Sequence, residues 1–264
     1  MQEHEIKPKK FLGQHFLHNG RIAHDIVQAL DKNVRTIIEV GPGKGALTKF
    51  LVQDLQIPLY LVEIDARLTT YLAERYPQLQ GKIITSDFLS LDFTKLCEAP
   101  IAIIGNFPYN ISSQIFFKLL DTRAYVNELV GMVQQEVASR IVAKPHCKTY
   151  GILSVLLQAF YHVEYLFTVS SNEFIPPPNV QSAVIKLRRN QTAQLNCDEA
   201  LFFKVVKTSF QHRRKTLRNA LASLLMKKDD AFSLLNNRAE QLSVKDFVAL
   251  TSYIEQKIKV GRVG

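Results

Sequence analysis

The segment that most constrains the fold of this chain runs from residue 36 to residue 55. A short β-branched run, TIIEV (36–40), leads directly into the glycine turn GPGKG (41–45), and the helical pattern ALTKFLVQDL follows. Short apolar runs predict buried strands, and apolar residues spaced three and four apart predict amphipathic helices. The segment therefore predicts a strand, a glycine turn and a helix in direct succession.

The same alternation continues along the chain. Further apolar runs predict strands at PLYLVEID (58–65), KIITSD (82–87), PIAIIGN (100–106), NELVGMVQ (127–134), VEYLFTV (163–169) and AVIKLRR (183–189). Helical patterns lie between several of them, at ARLTTYLAERY, EVASRIVA and ILSVLLQAF. Apolar strands that alternate with amphipathic helices are typical of a parallel sheet covered on both faces. We predict an α/β fold with a Rossmann-like sheet of seven strands and helices on both faces.

Basic residues are concentrated in the last quarter of the chain. The formal net charge is +9, and residues 191–264 hold 13 basic against 7 acidic residues. This change in composition predicts two domains, an α/β domain at 1–190 and a small all-helical domain at 191–264. An excess of positive charge favours a polyanionic partner, either nucleic acid or an acidic membrane surface.

The basic tail carries a helical pattern of its own. We predict one helix through residues 202–228, which contain no acidic residue. Its apolar stripe consists of Val206, Phe210, Leu217, Leu221 and Leu224, and its basic face consists of Lys207, Gln211, Arg214 and Arg218. Ser243 and Asp246 have the spacing of a helix start and predict a further helix after them.

Composition excludes several classes of protein. Hydrophobic residues make up 47% and charged residues 22% of the chain, which excludes a disordered or low-complexity sequence. Cys97, Cys147 and Cys197 form no C-x-x-C pair, so we expect free, buried thiols rather than disulfides or zinc. His15 and His18 lack a third ligand, so we expect no metal site. No apolar run has the length of a signal peptide or a membrane span, which predicts a soluble, cytoplasmic protein without membrane contact.

The glycine turn predicts a nucleotide-type cofactor in the cleft that it lines. Gly41 and Gly43 allow the backbone to approach a ligand closely, and the next helix offers unpaired N–H groups. The string fits both G-x-G-x-x-A, typical of dinucleotide sites, and E-x-G-x-G-x-G, typical of S-adenosylmethionine sites. Glu63, at the end of the second strand, can accept hydrogen bonds from ribose hydroxyls of either cofactor. Asp87 ends the third strand, where it can bind an adenine amine or cap a turn.

The fourth strand ends in Asn106-Phe107-Pro108-Tyr109. Because ligands bind at the carboxyl ends of parallel strands, these residues face the same cleft. An adenine amine is a poor nucleophile, and acceptors for its N–H groups localise its lone pair. Asn106 offers an amide oxygen, the Phe107 carbonyl offers a second acceptor before the donor-lacking Pro108, and Tyr109 offers a ring for stacking. The motif predicts methyl transfer to an adenine amine; the alternative for the bare string is a turn with a packed tyrosine.

Five segments together resemble one known family. They are Lys9–Leu17, Glu39–Gly45, Asn106–Ser112, Phe174–Val184 (FIPPPNVQSAV) and Arg213–Leu221 (RRKTLRNAL), which span nearly the whole chain. The chain is similar to the bacterial small-subunit ribosomal RNA adenine N6,N6-dimethyltransferases. The resemblance implies an enzyme with a methyltransferase sheet that dimethylates two adjacent adenosines near the 3′ end of 16S rRNA, with S-adenosylmethionine as methyl donor.

The resemblance also implies residue roles. The cofactor contacts fall at His15 and Leu17 in an N-terminal arm (1–20), and at Gly41, Gly43, Glu63, Asp87 and Asn106. Asn106, Pro108 and Tyr109 are the catalytic residues, and Lys207, Arg213, Arg214 and Arg218 bind RNA. Two positions depart from common members, because His15 replaces a frequent asparagine and Phe107 replaces a leucine or isoleucine.

Other functions remain open at this stage. An antibiotic-resistance methyltransferase acting on 23S rRNA shares the arm and the N-x-P-Y motif, although the Phe174–Val184 and Arg213–Leu221 segments disfavour it. An NAD-dependent oxidoreductase shares the glycine turn and Glu63 but gives no role to the Asn106 motif. A non-catalytic ribosome-assembly factor is a third alternative. We expect a monomer, since no candidate interface stands out.

Overall fold

The computed structural model describes residues 6–31, 33–54, 56–225 and 232–261. The strands of the described chain are β1 (Phe16–Leu17), β2 (Thr36–Val40), β3 (Leu59–Glu63), β4 (Ile83–Thr85), β5 (Ile101–Asn106), β6 (Val126–Gln134), β7 (Tyr161–Val169), β8 (Phe174–Ile175) and β9 (Ser182–Arg189). Seven of them form one sheet, which is the predicted number, in the order β4-β3-β2-β5-β6-β9-β7. β4, β3, β2, β5 and β6 are parallel neighbours, and β9 pairs antiparallel with β6.

Helices connect the strands and continue after them. The α-helices are α1 (Gly20–Gln28), α2 (Thr48–Asp54), α3 (Ala66–Arg75), α4 (Ser112–Asp121), α5 (Gln135–Val142), α6 (Ile152–Phe160), α7 (Glu199–Gln211), α8 (Leu217–Ala220) and α9 (Val244–Gly261). Two of these helices were not predicted, α1, which Asn19 caps, and α4. The pattern of Ile115, Phe116, Leu119 and Leu120, all buried on α4, is the sequence signal for that helix.

The sheet reverses its strand order beside β2. From β2 the chain proceeds outward through β3 and β4, and it then returns to place β5 and β6 on the other side. Ligands of such sheets bind where the order reverses, at the carboxyl ends of the strands. The loops after β2 and β5 lie at this point, where Gly41 is close enough that a Cβ would stand 3.7 Å from Pro108 Cδ.

A two-stranded sheet that the sequence did not predict ties the N-terminal arm to a distant segment. β1 pairs antiparallel with β8, aligning Phe16 with Ile175 and Leu17 with Phe174. Leu17 and Phe174 are buried in the main apolar core with residues of the large sheet such as Leu61. Burial of such a side chain stabilises the fold by about 1.5–3 kcal/mol. The arm is therefore held by packing as well as by backbone hydrogen bonds.

The chain divides into two compact units. One consists of the described residues of 1–138 and 163–189, and the other of those of 139–162 and 190–264. The predicted first domain, 1–190, includes residues 139–162, which belong to the second of these units. The predicted division at residue 190 stays a prediction.

The continuous helix predicted through residues 202–228 is wrong in the described part of that range. α7 ends at Gln211, and Thr216 is extended, with φ −63° and ψ 155°, before the short α8. The Leu217 N–H donates to the Asn237 carbonyl (2.7 Å) instead of continuing the helix, so a tertiary hydrogen bond overrides the local pattern. The predicted basic face therefore spans α7, a turn and α8. Residues 226–228 lie outside the described chain.

Three smaller expectations have clear outcomes. Ser243 and Asp246 exchange hydrogen bonds of 2.9 and 3.2 Å at the start of α9, which confirms the predicted helix start. The cysteines are free, but none is buried, since Cys147 is exposed and Cys97 and Cys197 are half-buried. Among the described residues, no helix is long and apolar enough to cross a membrane.

Candidate active site

The loop after β2 brings backbone to the edge of a pocket. Gly41 and Gly43 have left-handed backbone conformations, with φ +66° and +57°, which favour glycine. The Gly41 N–H donates to the Val62 carbonyl (2.9 Å), which holds the turn against β3. A Cβ on Gly43 would lie 3.1 Å from the Phe16 ring. The loop thus has room for a ligand only because it carries no side chains there.

Glu63 closes one side of the same pocket, as its position at the end of β3 predicts. The side chain is buried, and its oxygens accept the Gly43 N–H (3.2 Å) and the Asp65 N–H (3.0 Å). Burial raises the pKa of Glu63 above its usual range, while these backbone hydrogen bonds oppose the shift. The structure thus holds one carboxylate directly against the glycine loop.

A second buried acid, Glu39, lines the pocket and was not assigned a role from the sequence. Its carboxyl accepts a hydrogen bond from Thr48 Oγ1 at 2.7 Å. Burial, and to a smaller extent the nearby Glu63, raise the pKa of Glu39 to about 8, while the bond from Thr48 opposes the shift. Glu39 is therefore mostly protonated at neutral pH. Its place in the E-x-G-x-G-x-G string is the signal that identifies it.

Asn106 enters the pocket from the end of β5. Its Nδ2 atom donates to the His15 carbonyl oxygen at 2.8 Å. Because a carbonyl oxygen only accepts, this contact decides which way the amide of this pocket-lining residue is turned and leaves Oδ1 as an acceptor. Asn106 thus has its amide nitrogen committed to the arm and its amide oxygen left to accept.

Phe107 packs beneath Asn106 and locks the loop to the sheet. The Phe107 N–H donates to the Met132 carbonyl (3.0 Å), and the side chain is 1% exposed. The ring fills the space beside Gly131, where any Cβ would collide with it. The larger side chain at position 107 is thus accommodated by a glycine on β6.

Tyr109 and His15 form an aromatic pair at the pocket. Their ring centroids are 5.5 Å apart with an interplanar angle of 26°. The Tyr109 hydroxyl contacts Ser182 Oγ at 2.5 Å, and His15 Nδ1 donates to the Pro176 carbonyl at 2.7 Å. Burial raises the pKa of Tyr109, so its hydroxyl stays neutral at neutral pH. Two distant segments therefore hold both rings.

The base of the arm is tied to Asp65, just after β3. Arg67 (2.6 Å), Gln14 (3.3 Å) and Lys9 (3.2 Å) all donate to its carboxylate. The Arg67 guanidinium, followed by Gln14 and Lys9, holds the pKa of Asp65 well below its usual range. The arm is thus anchored at its base by charge and further along by β1.

Most of the predicted cofactor and catalytic residues line one pocket. They are His15, Leu17, Gly41, Gly43, Glu63, Asn106, Pro108 and Tyr109. Asp87 lies outside this lining; it is exposed, and its Oδ1 accepts the Leu89 N–H at 2.9 Å. Its role in binding adenine stays a prediction. No group of three or more His, Cys, Asp or Glu among the described residues is arranged to hold a metal ion.

The predicted RNA-binding residues lie in the second unit and differ in their surroundings. Lys207 and Arg214 are exposed. Arg213 lies 3.8 Å from the Glu240 carboxylate and donates to the Cys147 carbonyl, and Arg218 donates to Asn236 Oδ1. RNA binding by these four residues stays a prediction.

The sequence matches the family model described as "Ribosomal RNA adenine dimethylase" over residues 5–256. The chain belongs to the ribosomal RNA adenine dimethylase family. It is 51% identical over 261 residues to the ribosomal RNA small subunit methyltransferase A of Bacteroides fragilis, covering 97% of this chain and 95% of that relative. It is 53% identical over 255 residues to the protein of that name from Parabacteroides distasonis, covering 96% and 95%.

Two solved structures share the fold of this adenine dimethylase family member. The crystal structure of a dimethyladenosine transferase from Plasmodium falciparum has a TM-score of 0.77 and 24% identity, covering 92% of this chain and 98% of that one. The crystal structure of the 23S rRNA methyltransferase ErmE has a TM-score of 0.61 and 23% identity, covering 89% and 99%. Membership in the adenine dimethylase family disfavours the NAD-dependent oxidoreductase alternative.

Proposed function

We propose that this protein transfers methyl groups from S-adenosylmethionine to the N6 atoms of two adjacent adenosines near the 3′ end of 16S rRNA. The observation that carries the proposal is the Asn106 amide, whose orientation is decided by the His15 carbonyl. Family membership supplies the substrate class, and the small-subunit relatives above 50% identity favour 16S rRNA. ErmE, at 23% identity, supports the fold alone and does not favour the 23S alternative.

The pocket suits S-adenosylmethionine in three respects. Glu63 offers carboxylate oxygens that can accept hydrogen bonds from ribose hydroxyls. Gly41 and Gly43 leave backbone exposed where side chains would block a ligand. Leu17 and His15 cover the pocket from the arm. When bound, the cofactor supplies an electrophilic methyl group on a sulfonium ion.

The residues after β5 prepare the adenine amine for attack. Asn106 Oδ1 accepts one N–H of the amine, and the Phe107 carbonyl accepts the other, which localises the nitrogen lone pair. The Tyr109 ring stacks on the base, a contact worth about 1–3 kcal/mol. No general base is needed, because the nitrogen becomes acidic only after it has been methylated. The same two acceptors serve the second methyl transfer, in which the monomethylated amine has only one N–H left to donate.

RNA binding is assigned to the basic residues of the second unit. Lys207, Arg213, Arg214 and Arg218 carry positive charge that fits RNA phosphates. We assign the protein to the cytoplasm, where its ribosomal substrate is, as a monomer without membrane contact. Glu63 and Asn106 in place argue against a non-catalytic assembly factor.

Labelled methyl transfer tests the proposed function directly. We expect wild-type protein with labelled S-adenosylmethionine to label undermethylated small subunits but not large subunits. Mass spectrometry of 16S rRNA fragments then locates the label and counts the methyl groups. Two methyl groups on each of two adjacent adenosines are expected. Label only in 23S rRNA, or no label, contradicts the proposal.

Charge reversal tests the RNA assignment. We expect Arg214→Glu to weaken binding to small subunits and to lower the slope of log affinity against log salt by about one unit for each phosphate that the variant no longer binds. The control is Lys95→Glu, which makes the same charge change at a side chain that is 82% exposed in the first unit. Filter binding across salt concentrations measures both slopes. Equal slopes for the two variants contradict a specific role for Arg214.

A further inference from the structure

The segment 174–184 marks the family resemblance but has no role in the function proposed above. In the structure it contacts the pocket at three places. Ile175 pairs with Phe16 in the arm, the Pro176 carbonyl accepts from His15, and Ser182 contacts the Tyr109 hydroxyl. All three contacts reach residues of the pocket lining. The contact from Ser182 reaches Tyr109, the residue assigned to stack on the target base.

Ser182 is held rigidly. It is the first residue of β9, it lies opposite Gln134 of β6, and it is 0% exposed. β9 lies between β6 and β7, so both edges of the strand have neighbours in the sheet. A hydroxyl on such a strand has little freedom to move. It therefore gives Tyr109 a fixed partner, at an oxygen–oxygen distance of 2.5 Å.

The bond to Ser182 restrains the whole Tyr109 side chain. The hydroxyl oxygen lies on the axis about which χ2 turns the ring, so its bond to Ser182 fixes χ1 and the place of the ring, while the ring plane is set by its neighbours. The His15 ring lies 5.5 Å away at 26° and supports Tyr109 from one side. His15 is in turn held by the Pro176 carbonyl. The Tyr109 ring is therefore set before any base arrives.

We infer that Ser182 is a positioning residue, which holds the Tyr109 ring, against His15, in the place where the target adenine stacks beside Asn106. The inference rests on the proposed function and gives the buried serine of the segment 174–184 a role in it. Ser182 acts through Tyr109. A ring set in advance lowers the cost of bringing the N6 atom into line with the methyl group.

Three variants separate this role from simple support of the fold. Ser182→Ala leaves the Tyr109 hydroxyl without its partner, which destabilises the protein. Tyr109→Phe removes the other half of the bond. The double variant removes both, and paired removal of hydrogen-bonding groups is close to neutral for stability. Stability therefore recovers in the double variant, whereas the restraint on the ring does not.

The measurements are the single-turnover methylation rate on small subunits at saturating cofactor, the Kd for S-adenosylmethionine, and Tm. We expect Ser182→Ala to lower the rate roughly tenfold, the effect of losing one orienting hydrogen bond. The double variant should regain Tm but stay as slow as Ser182→Ala, and the Kd should stay within about twofold throughout. Ser182→Thr, which keeps the hydroxyl, should restore most of the rate.

Several results overturn the inference. A normal rate in Ser182→Ala removes it, as does a double variant whose rate recovers together with Tm. If the rate reductions of the two single variants multiply in the double variant, Ser182 does not act through Tyr109. The measurement on wild-type protein tests the proposed function alone. Label that is absent from 16S rRNA with wild-type protein overturns both, whereas a normal wild type with unaffected variants overturns only the role of Ser182.

Discussion

The two halves of the pocket differ in how the chain builds them. The cofactor half, defined by Glu39, Gly41, Gly43 and Glu63, comes from one continuous stretch and its adjacent parallel strands β2 and β3. The base half, defined by Asn106, Pro108 and Tyr109 with His15, depends on contacts from the arm, from Pro176 and from Ser182. The hydrogen bonds that orient its side chains join residues 73 to 161 positions apart.

This difference has a physical consequence for function. In the cofactor half, the Glu63 carboxylate is held by two backbone N–H groups, from Gly43 in the glycine turn and from Asp65 just after β3. In the base half, the Asn106 amide is turned correctly only while the arm lies over it. Changes in the cofactor half should therefore affect cofactor affinity, and changes in the base half should affect the rate of methyl transfer.

The largest effect is expected in the base half. Asn106→Ala removes the acceptor for the adenine amine and should lower the methylation rate by about 10²- to 10³-fold, as loss of an oriented polar group at a reacting centre does. The Kd for S-adenosylmethionine should change little by comparison, and RNA binding should be retained. Rapid-quench assays and calorimetry measure the two quantities.

The exposed Asn110, which follows the motif, provides the matched control for that variant. Asn110→Ala removes the same kind of side chain outside the residues that line the pocket and should keep most of the rate. A rate close to wild type in Asn106→Ala contradicts the assignment of the amine acceptor. An equally large change in cofactor Kd shows that the two halves are not separable.

A smaller effect is expected in the cofactor half. Glu63→Gln replaces charged acceptors by a neutral amide, and hydrogen bonds to charged groups contribute about 1.5–3 kcal/mol. The Kd for S-adenosylmethionine should rise by roughly 10- to 100-fold, while the rate at saturating cofactor stays near wild type. Glu74→Gln, an exposed acid on α3, is the control. A rate loss without a Kd change would place Glu63 with the reacting groups instead.

The smallest effect on catalysis, and a distinct one on stability, is expected at Glu39. Its folded-state pKa is raised from 4.5 to about 8, so the folded protein keeps a proton that the unfolded chain loses above pH 4.5. Stability from this group is full below that pH and falls as pH rises toward 8. Since one pKa unit corresponds to about 1.4 kcal/mol, the loss amounts to a few kcal/mol.

Glu39→Gln removes this titration and keeps an acceptor for Thr48. The variant should lose less stability than wild type between pH 5 and pH 8, and urea unfolding at several pH values measures the difference. Thr48→Val, which removes the hydroxyl that opposes the shift, should extend the loss of stability to higher pH. Parallel pH profiles for wild type and Glu39→Gln contradict a neutral Glu39 in the folded protein.

Much of the cofactor half was predictable from the sequence. Neighbouring parallel strands place their carboxyl ends side by side. The sequence therefore predicts that the glycine turn after TIIEV lies next to Glu63, at the end of the following strand. Glu39 was visible in the same string but received no role, since its burial and its bond to Thr48 appear only in the folded chain. Asp87 was singled out because it ends the third predicted strand, and its carboxylate accepts the Leu89 N–H in a turn outside the pocket lining.

The sequence by itself determined the sheet, the glycine loop and the family, because strand periodicity, turn chemistry and motif spacing are local properties of the chain. Only the tertiary structure decided that the arm pairs with β8, that His15 turns the Asn106 amide, and that Ser182 holds Tyr109. It also ended α7 at Gln211, where the local pattern predicted a longer helix. These features depend on hydrogen bonds between residues far apart in sequence, and a local sequence pattern does not identify such partners.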